Sequence, residues 1–244
     1  MDTHTTAPSE KPESIGDRIT WTQVARFLVY LLLWPLVLFL SAGRGDWGWG
    51  WIYVGLATGA TVLSRLLVAR KNPDLLAERG SADQKENVQP GDRLLVCLGV
   101  LYIPALTLVT AGLDHRFGWS PAIPTWATIL TLGCVLLGYA LATWAMVVNR
   151  FFSSYVRIQS DRGQHVVSDG PYRFVRHPGY AGGVLGGLAG PVVLGSYWAL
   201  IPALVSAAVL VLRTAREDRV LQEGLSGYVD YARRTRYRLL PGVW

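Results

Sequence analysis

The sequence predicts an all-α, polytopic membrane protein with five to six transmembrane helices, the last two a helical hairpin, and a cytosolic site near the C-terminus. Three observations lead there. Apolar residues make up 51% of the chain and charged ones only 16%, a balance unlike that of ordinary soluble domains. Charge-free runs alternate with short charged stretches, and several runs approach the about 20 residues needed to cross a bilayer core. Within these runs the one-sided period of a soluble amphipathic helix is missing.

The elements follow in chain order. Residues 1–18 are polar, carry both charge signs and are expected to form a disordered tail. They lack the short basic start of a signal peptide, so the first apolar run is read as a permanent helix. The membrane domain is expected over 19–244. Runs at 27–42, 47–63, 94–112 and 121–148 supply four spans. The stretch 179–212 is long enough for two more, with a break near Gly195-Ser-Tyr-Trp198. It is expected to fold as helices 181–195 and 198–212.

Short loops rich in Lys and Arg mark the cytoplasmic side. Arg70, Lys71, Arg79, Lys85 and Arg93 separate spans two and three, and Arg150, Arg157, Arg162, Arg173 and Arg176 separate spans four and five. Arg213, Arg216, Arg219, Arg233, Arg234, Arg236 and Arg238 follow the last span. Six spans place all three basic segments and both termini inside; five would split them. The net charge of +6 is then matched by anionic headgroups of the inner leaflet, with no nucleic-acid partner required. Cys97 and Cys134 each fall within an apolar run, which is neither a disulfide framework nor a metal site. His4, His115, His165 and His177 are scattered, so no metal cluster is expected.

The chemistry concentrates in GPYRFVRHPGY, residues 170–180. Upstream, Tyr155-Val-Arg-Ile-Gln159 and His165-Val-Val167 flank an Asp/Gly turn and are expected to pair as a small ribbon. Pro178 suits a first helical turn and keeps His177 out of the helix. His177 then sits beside free backbone N–H groups at a helix start, where Arg173 and Arg176 add positive charge, so the place favours an anion such as a carboxylate. Alternatively, His177 only caps the helix and the arginines only meet lipid phosphates. Gly182, Gly186 and Gly190 are spaced by four, as are Gly183 and Gly187. Such spacing serves close helix packing, or a wall without side chains for a flat ligand, or both on different faces. Arg213, Arg216 and Glu217 share one face of the last span by their three- and four-residue spacing.

GPYRFVRHPGYAG, the glycine-rich stretch, R-x-x-R-E-D-x-x-L, G-Y-V-D-Y and the closing R-L-L-P-G-V-W together resemble the isoprenylcysteine carboxyl methyltransferase-like family of membrane enzymes, related to the phospholipid N-methyltransferases. The match is best over 149–244, the expected cofactor-binding half. Asn72-Pro-Asp-Leu-Leu-Ala-Glu-Arg79 also resembles an inner-loop segment of bacterial members. The resemblance implies S-adenosylmethionine as methyl donor and a lipophilic or membrane-borne acceptor. Carried over by position, Tyr172, Arg176, His177, Pro178, Tyr180, Gly182, Gly183, Glu217 and Asp218 would bind the cofactor. Arg213 and Glu217 would be catalytic, and Asn149, Phe152 and Arg213 would meet the substrate. Where the family often has two glutamates, this chain has Glu217-Asp218. The acceptor stays open between an isoprenylcysteine-like or other lipophilic carboxylate, a thiol and an amine. The resemblance also implies a bacterial inner membrane with the active site facing the cytoplasm. Two other readings compete: a non-enzymatic transporter or assembly protein, for which ionisable residues at mid-span are essentially missing, and a nicotinamide-dependent membrane reductase.

Overall fold

The computed structural model describes residues 21–80 and 88–244; the expected tail at 1–18 lies outside them. Those residues form helices and loops with no strand among them. Helix α1 spans Trp21–Ala42, α2 Gly48–Lys71, α3 Pro73–Gly80, α4 Asp92–Phe117, α5 Thr125–Val148, α6 Pro178–Val193, α7 Leu200–Gly224 and α8 Tyr228–Arg234. Four helices are long and apolar enough to cross a membrane: Val24–Ala42, Gly48–Lys71, Asp92–Phe117 and Thr125–Val148. Their outward faces carry exposed Leu, Ile, Val and Trp. The expected hairpin is present as α6 and α7, joined by a tight turn at 194–199. Neither helix meets the same standard, because α6 has only 16 residues and the second half of α7 is charged.

Backbone groups freed at helix ends find partners across the bundle. The last turn of α5 leaves carbonyls without intrahelical donors, and Asn72 Nδ2 donates to those of Met146 and Val147 at 3.0 and 2.6 Å. Helix α4 contains a π-helical turn at Cys97–Tyr102 just before Pro104. In that wider register the carbonyl of Gly99 would look to residue 104, and proline has no N–H to offer. Ser206 Oγ of α7 supplies the missing bond at 3.1 Å.

The two glycine registers of α6 do different jobs. A Cβ placed on Gly138 of α5 would lie 2.6 Å from the carbonyl oxygen of Gly182, so these helices touch backbone to backbone. Gly183, one residue on, would meet only Leu210 at 3.6 Å, which is ordinary contact. The four-residue spacing therefore serves packing on one face and leaves the neighbouring face open.

The expected ribbon does not form. Residues 155–159 and 165–167 lack strand pairing. A 3-10 turn at Ser160–Arg162 replaces it, closed by Gln164 N on the Gln159 carbonyl at 3.2 Å and Gln159 N on Gln164 Oε1 at 2.6 Å. The apparent alternation has another cause: Val156 N donates to Asp92 Oδ2 at 2.7 Å, and Arg157 pairs with Glu78 at 2.7 Å. Both neighbours are buried, each by its own polar partner.

Candidate active site

The first half of α4 (Val96 to Pro104), the first half of α6 (Gly179 to Gly187), α7 from Ser206 to Leu221, Arg79 of α3 and the tyrosines of α8 converge at one end of the bundle. There, with the 149–177 loop, they enclose a cavity of about 470 Å³. It collects Asn149, Phe152, Tyr172, Arg176, His177, Tyr180, Gly183, Arg213 and Glu217 from the residues singled out in the sequence. Pro178, Gly182 and Asp218 lie outside its wall. Pro178 is fully buried in the first turn of α6, and Gly182 faces Gly138 instead.

Asp218 organises the structure behind that wall. Its side chain is completely buried. Oδ1 accepts from Arg176 Nε at 2.7 Å, Tyr228 OH at 3.0 Å and His177 Nε2 at 3.1 Å. Oδ2 accepts from Arg176 Nη2, Arg238 Nε and Gln222 Nε2, each at 2.8 Å. Burial alone would raise its pKa, but the bonds from His177, Arg176 and Arg238 outweigh burial and hold the carboxyl well below its usual range. His177 thus spends Nε2 on Asp218 and makes no side-chain cap on α6. The backbone of the closing motif completes the corner: Arg176 N and His177 N donate to the carbonyls of Tyr237 and Arg238, both at 2.9 Å.

Glu217, one residue earlier, points the other way. It lines the cavity and accepts from Tyr180 OH at 2.6 Å. The neighbours therefore divide the work, Asp218 inward and Glu217 toward the open space. Arg213 is held at the edge: Nε and Nη2 reach Asp92 Oδ1 and Oδ2 at 2.9 and 3.2 Å, and Nη2 also meets the Ser154 carbonyl at 2.6 Å. Its guanidinium carbon lies 5.4 Å from the Tyr180 ring centroid. Asn149 Nδ2 donates to Tyr172 OH at 3.1 Å. Burial pushes the Tyr172 phenol well above its usual range, which keeps it a neutral hydroxyl. Arg173 is exposed and takes no part.

Several site residues were not singled out from the sequence. Asp92 holds Arg213 across 121 positions, and its acid at the head of an apolar run was the one local signal. Gly179 lets the Phe152 ring approach, since a Cβ there would lie 2.5 Å from it. Arg79, Tyr228 and Tyr231 also line the cavity. A second, mostly apolar cavity of about 180 Å³ lies among Tyr30, Trp34, Tyr53 and Tyr139. It shares Val100, Pro104, Gly187 and Ser206 with the first, so the two meet at the π turn and the open glycine face.

Residues 130–223 match the isoprenylcysteine carboxyl methyltransferase (ICMT) family. The resemblance drawn from the motifs is borne out over that segment, which runs from the second turn of α5 to the end of α7. The chain is also similar to the cobalt-zinc-cadmium resistance protein CzcN of Cupriavidus metallidurans, 35% identical over 138 residues. That match covers 53% of this chain and 57% of the relative, so the chain spans little more than half the length of the curated relative it matches.

Proposed function

We propose, from the isoprenylcysteine carboxyl methyltransferase family segment at residues 130–223, that this chain is an integral membrane methyltransferase using S-adenosylmethionine on a lipophilic or membrane-borne acceptor. The observation that carries the proposal is the single cavity gathering Tyr172, His177, Tyr180, Gly183, Arg213 and Glu217. Its volume falls within the about 300–1,000 Å³ typical of small-molecule sites. Its walls suit a cationic nucleoside. Glu217 is the one acid lining it among the described residues, and aromatic faces surround it. Bound there, S-adenosylmethionine would supply an electrophilic methyl group on a sulfonium.

The chain's own residues would then align rather than activate. Glu217, fixed by Tyr180, accepts hydrogen bonds from the ammonium or ribose hydroxyls. Tyr172 and Tyr180 offer ring faces. Arg213 is fixed by Asp92 through Nε and Nη2, which leaves Nη1 to orient an acceptor. The substitution disperses positive charge, so a dry pocket does not oppose it. A carboxylate acceptor is already ionised at neutral pH and needs no base. A thiol or amine acceptor needs one, and Glu217 or His177 Nδ1 are the candidates. The second cavity is mostly apolar and shares Val100, Pro104, Gly187 and Ser206 with the first, which suits the acceptor's hydrocarbon part. The basic segments support a cytoplasmic side for both termini and the site, with α6 and α7 as the fifth and sixth spans of this reading.

The test titrates S-adenosylhomocysteine and, separately, NADPH into the detergent-purified protein, with His177→Ala and Glu217→Ala alongside. Binding of S-adenosylhomocysteine that both substitutions abolish supports the methyltransferase. Binding of NADPH instead means reduction. Binding of neither to folded protein makes the 170–180 stretch a structural loop.

A further inference from the structure

Among the described residues three arginines line the main cavity, and two of them are neutralised. Arg176 gives Nε and Nη2 to Asp218 and Nη1 to the carbonyls of Thr235 and Arg236 at 2.9 and 2.7 Å. Arg213 pairs with Asp92. Arg79 on α3 differs. Its contacts are a long 3.5 Å bond from Nη1 to the Phe152 carbonyl and the Phe152 ring, 5.6 Å from its guanidinium carbon. No carboxylate pairs with it among the described residues. Glu78, its chain neighbour, is turned to Arg157 at 2.7 Å. Glu217, the cavity's acid, is bonded to Tyr180 at 2.6 Å. Burial pulls the Arg79 pKa down to about 10, with the positive charges of Arg65 and Arg213 adding to it, so the group stays charged at neutral pH.

A half-buried cation with no counter-ion among the described residues is costly to keep. Its planar fork matches a carboxylate in two parallel bonds. We infer that Arg79 is a carboxylate-binding residue of this cavity, completed by an acid group that the bound ligand brings. The inference rests on the methyltransferase reading and sharpens it. Two ligands can bring such a group: the methionine end of the donor, or an acidic acceptor. The helix-start arginines that the sequence offered for this task are otherwise engaged, Arg176 by Asp218 and Arg173 by its outward position.

Calorimetry on the detergent-purified full chain tests it, with wild type, Arg79→Ala and Arg79→Lys. S-adenosylhomocysteine is compared with methylthioadenosine, which keeps the adenosine and thioether but lacks the amino acid. An N-acetyl-S-prenylcysteine is compared with its methyl ester. If Arg79 holds the donor's carboxylate, Arg79→Ala weakens S-adenosylhomocysteine about 10- to 100-fold. Methylthioadenosine is then unchanged, and Arg79→Lys falls between. If Arg79 holds the acceptor's carboxylate, S-adenosylhomocysteine is unchanged and the acid loses its advantage over the ester in Arg79→Ala. Equal losses for S-adenosylhomocysteine and methylthioadenosine overturn the inference, because they mean that Arg79 only props Phe152 and the loop. Unchanged affinities for both probe pairs overturn it as well. A wild type that binds neither nucleoside defeats the methyltransferase reading instead, and the acid–ester pair still judges Arg79.

Discussion

Replacing Asp218 by Asn separates charge from shape at the most connected side chain of the site. The amide keeps the volume and one oxygen. Placed on the Oδ1 side, that oxygen preserves the bonds from Arg176 Nε, His177 and Tyr228. The NH2 then confronts three donors, Arg176 Nη2, Arg238 Nε and Gln222 Nε2. The Gln222 amide can turn its oxygen to the new NH2, but the two arginine bonds become donor–donor conflicts, and Arg176, only 6% exposed, loses its counter-charge. Arg238 is 32% exposed, so water compensates part of its loss. Breaking one side of a buried pair costs about 3–5 kcal/mol. For a chain of this size, about 2–4 °C per kcal/mol lowers the apparent melting temperature by roughly 6–20 °C. The ten tryptophans give the fluorescence signal for thermal unfolding in detergent. Glu217→Gln is the control, since it touches one hydroxyl at the cavity wall. It should melt within about 2 °C of wild type, the usual small effect away from the core, while losing S-adenosylhomocysteine affinity. If Asp218→Asn proved as stable as Glu217→Gln, Asp218 would not be the organising carboxylate described here.

The same carboxyl sets an acid limit. Its folded pKa lies below the unfolded value of about 3.9, so its contribution is complete above that value and is lost as pH falls toward the folded pKa. Melting temperature against pH should therefore show a fall below about pH 4 that Asp218→Asn removes. Gly182→Ala drives a methyl into the α5 backbone and should cost about 1–3 kcal/mol, read as a lower melting temperature. Gly183→Ala should leave melting nearly unchanged and instead weaken ligand binding in the calorimeter. Ser206→Ala leaves the Gly99 carbonyl without its donor and should cost about 1 kcal/mol in the same thermal assay.

The four long apolar helices and the hairpin were legible because a bilayer demands long charge-free runs, and the Gly195–Trp198 break interrupts the longest of them. Much of the cavity's lining was legible too, because residues 172–183 and 213–218 lie on two consecutive helix ends and carry the motifs of the resemblance. Asp92 and Arg79 were not. Their roles depend on which distant carboxylates and arginines find each other, and no local period encodes that. Asp92 stands two residues before the apolar run at 94–112 and drew no reading, and Arg79 counted only as one more cytoplasmic-side charge. The ribbon was misread for the same reason: Val156 and Arg157 are both buried, so alternation of residue type around them did not report alternation of exposure. The spacing of Gly182 and Gly183 allowed both packing and a ligand wall, and the resemblance named both as cofactor-binding; only their neighbours' positions on α5 and α7 separate them, Gly182 against Gly138 and Gly183 on the open face.

The two registers of α6 differ by one residue, and one residue on an α-helix is a rotation of about 100°. Inserting a single residue between Pro178 and Gly182 would keep every glycine and nearly the whole composition. It would nevertheless turn the sealing stripe toward the cavity and press the open stripe's neighbours into α5. The helix thus tolerates many single substitutions on its lipid side far better than a change in its length. A compensating deletion placed between the inserted residue and Gly182 should restore what the insertion alone destroys, whereas one placed beyond Gly190 should not.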